Sequence, residues 1–165
     1  MAIRRVTDEF IWEAEYMQHP VESKGLLFPI EELNRFKMKD LGTKQPDATI
    51  CVVDTADKGN DFLCAPVGKK FNENTFITDV VFTQDGVEIT EPLVAQQILN
   101  TKCDITHIES NNGGSQYARN IRKLVRGKCM VTDKMNMTNK ETRILMNSGY
   151  IKEFFYFRDD YEPVS

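Results

Sequence analysis

The chain has 165 residues, of which 41% are hydrophobic and 28% charged, and its formal net charge is -4 at pH 7. This length and composition are typical of a globular protein with one hydrophobic core. No apolar run approaches the roughly 20 residues that span a bilayer, and the N-terminal residues 1–5 lack the apolar core of a signal peptide. A membrane partner is therefore not expected.

The N-terminal part is predicted to be a lead-in, residues 1–46, followed by the main domain at 47–165. A helix capped by Thr7 is predicted to run to about Gln18, a second short helix covers about 30–39, and 42–47 is a polar linker. Four cysteines are predicted to be buried free thiols, because none forms a CxxC pair. They are Cys51, Cys64, Cys103 and Cys129.

Three strands are predicted at about 48–54, 61–67 and 75–82, and the short breaks between them favour antiparallel pairing. A helix capped by Thr90 follows, and then a fourth strand at 104–109. Because a helix separates this strand from the third, it is free to pair parallel to the first. Parallel pairing would bring Asp54 and Glu109, the last residues of their strands, to one edge of the sheet.

The remaining elements alternate between helix and strand. A helix is predicted to begin at Gly113-Gly114, and a short strand at about 128–132 follows. Thr138 and Glu141 have the spacing of a capping box for a helix ending near Gly149, and a last strand covers 152–157. This order predicts an α/β protein with a ribonuclease H-like mixed sheet, three antiparallel strands and then parallel strands, flanked by helices.

Acids that converge at the edge of such a sheet suit divalent cations, which prefer oxygen ligands. Asp54 and Glu109 are the candidates that the strand pattern provides. Two cations about 3.5–4 Å apart can activate water and stabilise the leaving oxygen in phosphodiester hydrolysis. Alone, each acid also fits a turn or the start of a strand.

Basic residues are concentrated between positions 115 and 143, where eight basic residues against two acidic ones give a net charge of +6. Arg119, Arg122 and Lys123 share the polar face of the predicted helix and are candidates for binding DNA phosphates. The amides of Gly113 and Gly114 could hold a phosphate at the helix start. The alternatives are a solvated helix surface and an ordinary turn.

Several motifs together resemble the C-terminal nuclease domain of the large terminase subunit of tailed bacteriophages and prophages. In chain order they are EYMQHP at 15–20, GLLFP at 25–29, VDTA at 53–56 with Asp61, IESNNGG at 108–114 and NKETRI at 139–144. The resemblance covers nearly the whole chain.

This resemblance implies a metal-dependent endonuclease that cuts concatemeric viral DNA during genome packaging. Asp54 and Glu109 match the family's first two metal-binding carboxylates, and Asp61 matches a nearby family acid; Asp57 is supported by proximity alone. The implied cofactor is a two-metal site of Mg²⁺ or Mn²⁺. The implied partners are double-stranded DNA, the portal, the small terminase subunit and an ATPase domain, and the implied location is the cytoplasm of the bacterial host.

The chain departs from the family in two ways. The family's third catalytic Asp lies in an Asp-rich motif that is not found here, and we expect it beyond Ser165. Asp159 and Asp160 follow the last strand but are expected in a loop. No GxxxxGK[ST] loop of an ATPase is present. A nuclease domain or a truncated prophage remnant is therefore expected.

Two other functions remain open from the sequence. One is a different ribonuclease H-like nuclease, such as a resolvase or transposase core. The other is a truncated, inactive DNA- or protein-docking module. The nuclease hypothesis would fail if the two carboxylates lay at opposite edges of the sheet, or if buried arginine or lysine side chains engaged them.

Overall fold

A computed structural model describes residues 26–56 and 60–161 of the chain. Its centre is a seven-stranded mixed sheet with the strand order β1-β7-β4-β3-β2-β5-β6. The strands are β1 (Asn34–Phe36), β2 (Ala48–Val53), β3 (Leu63–Phe71), β4 (Asn74–Thr83), β5 (Ile105–Glu109), β6 (Met130–Lys134) and β7 (Phe155–Arg158). The helices are α1 (Met38–Leu41), α2 (Val87–Thr101), α3 (Gly114–Val125) and α4 (Lys140–Phe154).

The pairing predicted from the sequence is confirmed. Strands β2, β3 and β4 pair antiparallel, whereas β5 pairs parallel to β2 with Val53 opposite Ile108. Strand β6 then pairs parallel to β5. The connection through α2 allows the parallel pairing, because a crossover is needed to return the chain to the same edge.

One face of the sheet carries the main hydrophobic core. Helices α2 and α3 pack there, and α3 contributes its apolar stripe because Tyr117, Ala118, Ile121 and Val125 recur at helical spacing. From the strands, Val53 and Ile108 point into this core and are almost fully buried. The four cysteines are buried free thiols, as predicted.

The opposite face is covered less completely: Cys64, Val80 and Phe82 form a small buried cluster on it, and a helix covers it near β7. There α4 packs against β7, and Ile144 and Ile151 of α4 lie against a smaller cluster formed by Phe28, Leu33 and Phe157. Above β2 this face is open, since Val52 remains 48% exposed. Because side chains alternate along a strand, Val53 points into the core, whereas Val52 and Asp54, the residue after β2, lie on the open side.

The segment 30–39 differs from the single short helix that was predicted. A 3-10 turn at Ile30–Glu32 leads into β1, which pairs parallel to β7 at the sheet edge. The apolar side chains of Leu33 and Phe36 are buried, which explains why an extended segment is favoured here. The helix predicted at 7–18 lies outside the described residues, and the division of the chain at residue 46 stays a prediction.

Helix α2 begins earlier than predicted. Its N-cap is Gly86, whose carbonyl oxygen accepts hydrogen bonds from the amides of Ile89 and Thr90. Thr90 is therefore wrong as the N-cap; its hydroxyl lies in the core and shares a 3.1 Å hydrogen bond with the Tyr117 hydroxyl.

Helix α4 also differs at both ends. Asn139, not Thr138, is its N-cap, because the Asn139 side chain accepts a hydrogen bond from the amide of Thr142. The helix continues past Gly149 to Phe154 because Ile151 still has the small cluster to pack against. The last strand accordingly starts at Phe155, three residues later than predicted. Among the described helices, none is long and apolar enough to cross a membrane.

Candidate metal and phosphate site

Asp54 and Glu109 lie side by side at one edge of the sheet. Asp54 directly follows β2 and Glu109 is the last residue of β5. The register pairs Val53 with Ile108 in the parallel ladder, so the two acids are neighbours one residue further along. Adjacent strands lie about 4.8 Å apart, a separation at which two carboxylates can share one cation.

Both acids project from the open face of the sheet. Asp54 exchanges two backbone hydrogen bonds with Cys64 of β3, so these two side chains point the same way. Burial, and then the nearby charge of Asp54, raise the pKa of the Cys64 thiol to about 12. The thiol therefore stays protonated beside the carboxylate and adds no negative charge to the site.

A lysine from α4 pairs with Asp54 and interacts electrostatically with Glu109. The Lys140 Nζ is 2.5 Å from Asp54 Oδ2, and 65% of the Lys140 side chain is exposed. Partial burial lowers the pKa of Lys140, but the hydrogen bond to Asp54 and the charges of Asp54 and Glu109 outweigh it and raise that pKa above its usual value. One positive charge thus interacts with both acids, as a bound cation would.

Glu109 is held by two further side chains. Its Oε1 accepts a 2.9 Å hydrogen bond from Asn111 Nδ2 and lies 3.4 Å from Arg143 Nη2. Asn111 also receives a hydrogen bond from the amide of Asn136, which ties the turn after β5 to the loop before α4. The rotamer of Glu109 is therefore fixed by neighbours on two elements.

The cations beside the acids do not meet the condition that would end the nuclease hypothesis. Lys140 is mostly exposed, and the Arg143 side chain is 30% exposed. An exposed ion pair such as Lys140–Asp54 contributes only about 0–1 kcal/mol, so a divalent ion can displace it, whereas the 3.4 Å contact of Arg143 with Glu109 is partly buried. The two acids lie at the same edge, and the donor set of hard oxygens fits Mg²⁺ or Mn²⁺.

The two glycines after β5 build a tight turn. Gly113 has a φ of +99°, which favours glycine, and a Cβ on Gly114 would lie 1.9 Å from the carbonyl oxygen of Glu109. The backbone of α3 therefore starts in direct contact with the strand end that carries Glu109. A phosphate-binding role for these amides stays a prediction, because the turn alone explains both glycines.

The structure does not place Asp61 in a metal-binding group with this pair. Asp61 is exposed just before β3, and Asp57 lies outside the described residues. Within 26–56 and 60–161, no group of three or more His, Cys, Asp or Glu side chains is arranged to hold a metal ion. The described part of the chain thus supplies two carboxylates.

Asp159 and Asp160 lie too far away to complete the site. Across the sheet, β7 is three strands from β2, or about 14 Å. Along the strand direction, its pairing with β4 places its end about 10 Å before the edge of the sheet where Asp54 and Glu109 lie. Asp160 also has its own partners, Arg158 Nε at 2.6 Å and the amide of Met38. It holds β7 to the start of α1.

The predicted phosphate-binding residues of α3 are exposed, as the sequence indicated. Two of them have partners: Arg122 Nη2 is 2.5 Å from Asp133 Oδ1, and Arg119 donates to Gln116. The hydrogen bonds from Arg122 and Ser115 lower the pKa of Asp133. Lys123 makes no ion pair with any described residue. Contact of these side chains with DNA stays a prediction.

Sequence reasoning gave no role to Lys140, Arg143 and Asn111. All three were visible in motifs, but which acid they approach depends on how α4 crosses the open face. One signal was present: Lys140 and Arg143 are three residues apart, so they lie on one side of a helix.

A mixed sheet with two acids at the ends of adjacent parallel strands defines the ribonuclease H-like class of α/β domains. In a comparison with solved structures, the chain is similar to the human cytomegalovirus terminase nuclease domain, Mn soaked and inhibitor bound. The TM-score is 0.55 and the sequence identity is 11%, and the match covers 82% of this chain and 76% of that chain. The Mn-soaked form of that domain gives a TM-score of 0.51 and 12% identity over 79% and 72%. These similarities establish the fold.

A family model described as the ribonuclease H-like domain of the bacteriophage T7 terminase matches residues 53–149, more than half of the chain. The chain therefore belongs to this terminase family, and the predicted resemblance is confirmed. The match begins one residue before Asp54 and includes Glu109, Lys140 and Arg143. No curated protein matches the chain.

Proposed function

We propose that this chain is a divalent-metal-dependent endodeoxyribonuclease domain that cuts concatemeric viral DNA during genome packaging. The observation that carries the proposal is the parallel register of β2 and β5, which makes Asp54 and Glu109 neighbours on the open face. The family match supports a terminase nuclease over a resolvase or transposase core. The Mn-soaked forms of the structural relatives support Mn²⁺ or Mg²⁺ as the cofactor.

In this proposal, Asp54 and Glu109 hold the divalent cations, and Asn111 keeps the Glu109 carboxylate oriented. Asp61 and, with weaker support, Asp57 remain candidates for additional ligands. Hydrolysis joins a water oxygen to phosphorus and breaks the bond to the 3′ oxygen; divalent cations supply activation of the water and neutralise charge on the leaving oxygen.

The open face gives the duplex access to these acids, because Val52 and His107 beside them are exposed. Arg119, Arg122 and Lys123 lie on α3, which starts beside Glu109 but covers the opposite face of the sheet. Their contacts would be with backbone phosphates, so cutting should show little sequence preference. The portal, the small terminase subunit and an ATPase domain are the partners that this function requires.

A plasmid assay tests the proposal. We expect the protein to convert supercoiled DNA to nicked or linear DNA with Mn²⁺ and to do nothing in EDTA. Asp54→Asn and Glu109→Gln should each lower the rate roughly 100- to 1000-fold, because losing a metal ligand removes several kcal/mol of transition-state stabilisation.

Glu32→Gln is the matched control, since Glu32 forms an ion pair with Lys152 away from the site. Its rate should equal that of the wild type. If Asp54→Asn cleaves as fast as the control, the proposal is wrong. If the wild type neither cleaves nor binds Mn²⁺, the docking module becomes the better account.

A further inference from the structure

The first turn of α4 presents two cations to the two acids. Lys140 is the first residue of the helix and Arg143 follows three residues later, and they contact Asp54 and Glu109 respectively. The N-terminal end of a helix is electropositive and favours acidic residues there. Two cationic side chains in the first turn of a helix interact unfavourably with the helix dipole, so the presence of Lys140 and Arg143 there is not explained by a gain in helix stability.

Both cations keep unused hydrogen-bond donors. An ammonium has three donors and a guanidinium has five, but the contacts to the acids occupy one donor of each. Among the described residues, the buried Nε of Arg143 has no hydrogen-bond partner. Lys140 is largely exposed, so its remaining donors are open to an anion arriving from solvent.

We propose that Lys140 and Arg143 are positioning residues for the scissile phosphate. Before a divalent cation binds, they neutralise Asp54 and Glu109; once the carboxylates hold the cation, the two side chains turn to the phosphate oxygens. The forked guanidinium of Arg143 suits two oxygens of one phosphate, and the ammonium of Lys140 acts as a mobile point charge. This inference rests on the proposed nuclease function and assigns its phosphate contacts.

The proposed roles of Lys140 in pairing with Asp54 and in binding phosphate have opposite effects on the affinities for metal and for DNA. Lys140 competes with a divalent cation for Asp54, so removing its charge strengthens metal binding. Lys140 attracts the phosphate, so removing its charge weakens DNA binding. A side chain that only supports the fold would not change these two affinities in opposite directions.

The experiment compares Lys140→Gln and Arg143→Gln with Lys152→Gln. Lys152 is the matched control because it lies on the same helix, about 18 Å further along, and forms a 2.8 Å ion pair with Glu32. Mn²⁺ affinity is measured by calorimetric titration without DNA. DNA affinity is measured by the fluorescence anisotropy of a labelled duplex in Ca²⁺, and a thermal melt checks that each variant is folded.

For Lys140→Gln we expect the Kd for Mn²⁺ to fall about two- to five-fold, which is the strength of an exposed ion pair. The Kd for the duplex should rise about 10- to 100-fold, as for the loss of one hydrogen bond to a charged group. Arg143→Gln should follow the same pattern, and Arg143→Lys should restore part of the DNA affinity by restoring the charge. Lys152→Gln should match the wild type in both titrations.

Asp54→Asn separates the two proposals. If Asp54→Asn binds Mn²⁺ like the wild type, the proposed nuclease site itself is wrong. If Asp54→Asn loses Mn²⁺ binding but Lys140→Gln and Arg143→Gln bind DNA as tightly as Lys152→Gln, the nuclease site stands and this inference is overturned. Weaker Mn²⁺ binding by folded Lys140→Gln would overturn it as well.

Discussion

The two faces of the sheet differ sharply although the same strands form both. Val53 points to the face covered by α2 and α3 and is fully buried, whereas its neighbour Val52 on the open face is 48% exposed. The packed face is mainly apolar, and its buried carboxylate, Asp79, accepts a hydrogen bond from the buried Gln97 side chain. The open face carries Asp54 and Glu109 with their two cations, in contact with solvent, where charges are held at small cost.

This difference separates the part of the molecule that stabilises the fold from the part that can bind ligands. A carboxylate on the packed face would lose its hydration and need a buried partner. On the open face, ion pairs with Lys140 and Arg143 offset the repulsion between the acids until a metal replaces them. We therefore expect the two faces to respond to mutation very differently.

The largest effect on stability is expected at Gly114, in the turn between β5 and α3. A Cβ on Gly114 would lie 1.9 Å from the Glu109 carbonyl oxygen, a backbone atom that cannot move aside easily. Gly114→Ala should lower the free energy of unfolding by more than about 3 kcal/mol and displace Glu109, as measured by urea denaturation and Mn²⁺ titration.

Gly149→Ala is the control for this change, because nothing lies within 4 Å of a Cβ there and the residue is inside α4. It should raise the free energy of unfolding by about 0.5–1 kcal/mol. Equal stabilities for the two variants would mean that the α3 start does not press against β5.

The next effect compares the two faces directly through neighbouring residues of β2. Val53→Thr buries a hydroxyl among apolar side chains and should lower the free energy of unfolding by about 1–3 kcal/mol. Val52→Thr keeps the β-branched shape on the open face and should change it by less than about 0.5 kcal/mol. Chemical denaturation of both variants gives the comparison, and similar losses at both positions would contradict an open second face.

The smallest effect concerns the far edge of the open face, where Asp160 joins β7 to α1. The hydrogen bond from Arg158, helped by the amide of Met38, lowers the pKa of Asp160. A lowered pKa in the folded state contributes stability that is present above the unfolded value of about 3.9 and is lost as pH falls through the lowered pKa.

Wild type should therefore be more stable than Asp160→Asn at pH 6, and the difference should disappear in acid. Asp159→Asn, a change at the exposed neighbouring residue, should show no such pH dependence. Urea unfolding at pH 6 and in steps below pH 4 makes the test. A difference that persists unchanged in strong acid would mean that the carboxylate charge does not hold this edge.

The sequence was sufficient to predict that β2 and β5 pair parallel and bring Asp54 and Glu109 to one edge of the sheet; metal binding by the two acids stays a prediction. Strand-like runs that end on an acid identified β2 and β5, and the intervening helix left β5 free to pair parallel to β2. The register of Val53 with Ile108 came from the structure. The start of α2 was missed because Thr90 has the residue type of a cap but packs in the core against Tyr117. Local preference was overridden there by tertiary contacts.

The positions of Lys140 and Arg143 could not be predicted, for a different reason. Their contacts depend on where α4 crosses the open face, and that is fixed by Ile144 and Ile151 packing near β7 and by the loop anchored through Asn111. These are long-range contacts of a few side chains. Strand β1 was missed likewise, because its three residues become a strand only by pairing with β7.

The central claim is that Asp54 and Glu109 bind the same divalent cation. Anomalous scattering from crystals of this protein soaked in Mn²⁺ tests it most directly. We predict a peak within about 2.5 Å of carboxylate oxygens of both residues, with the Lys140 ammonium displaced from Asp54. Saturating Mn²⁺ that leaves the Lys140–Asp54 contact intact, with no peak between the two acids, would contradict the account.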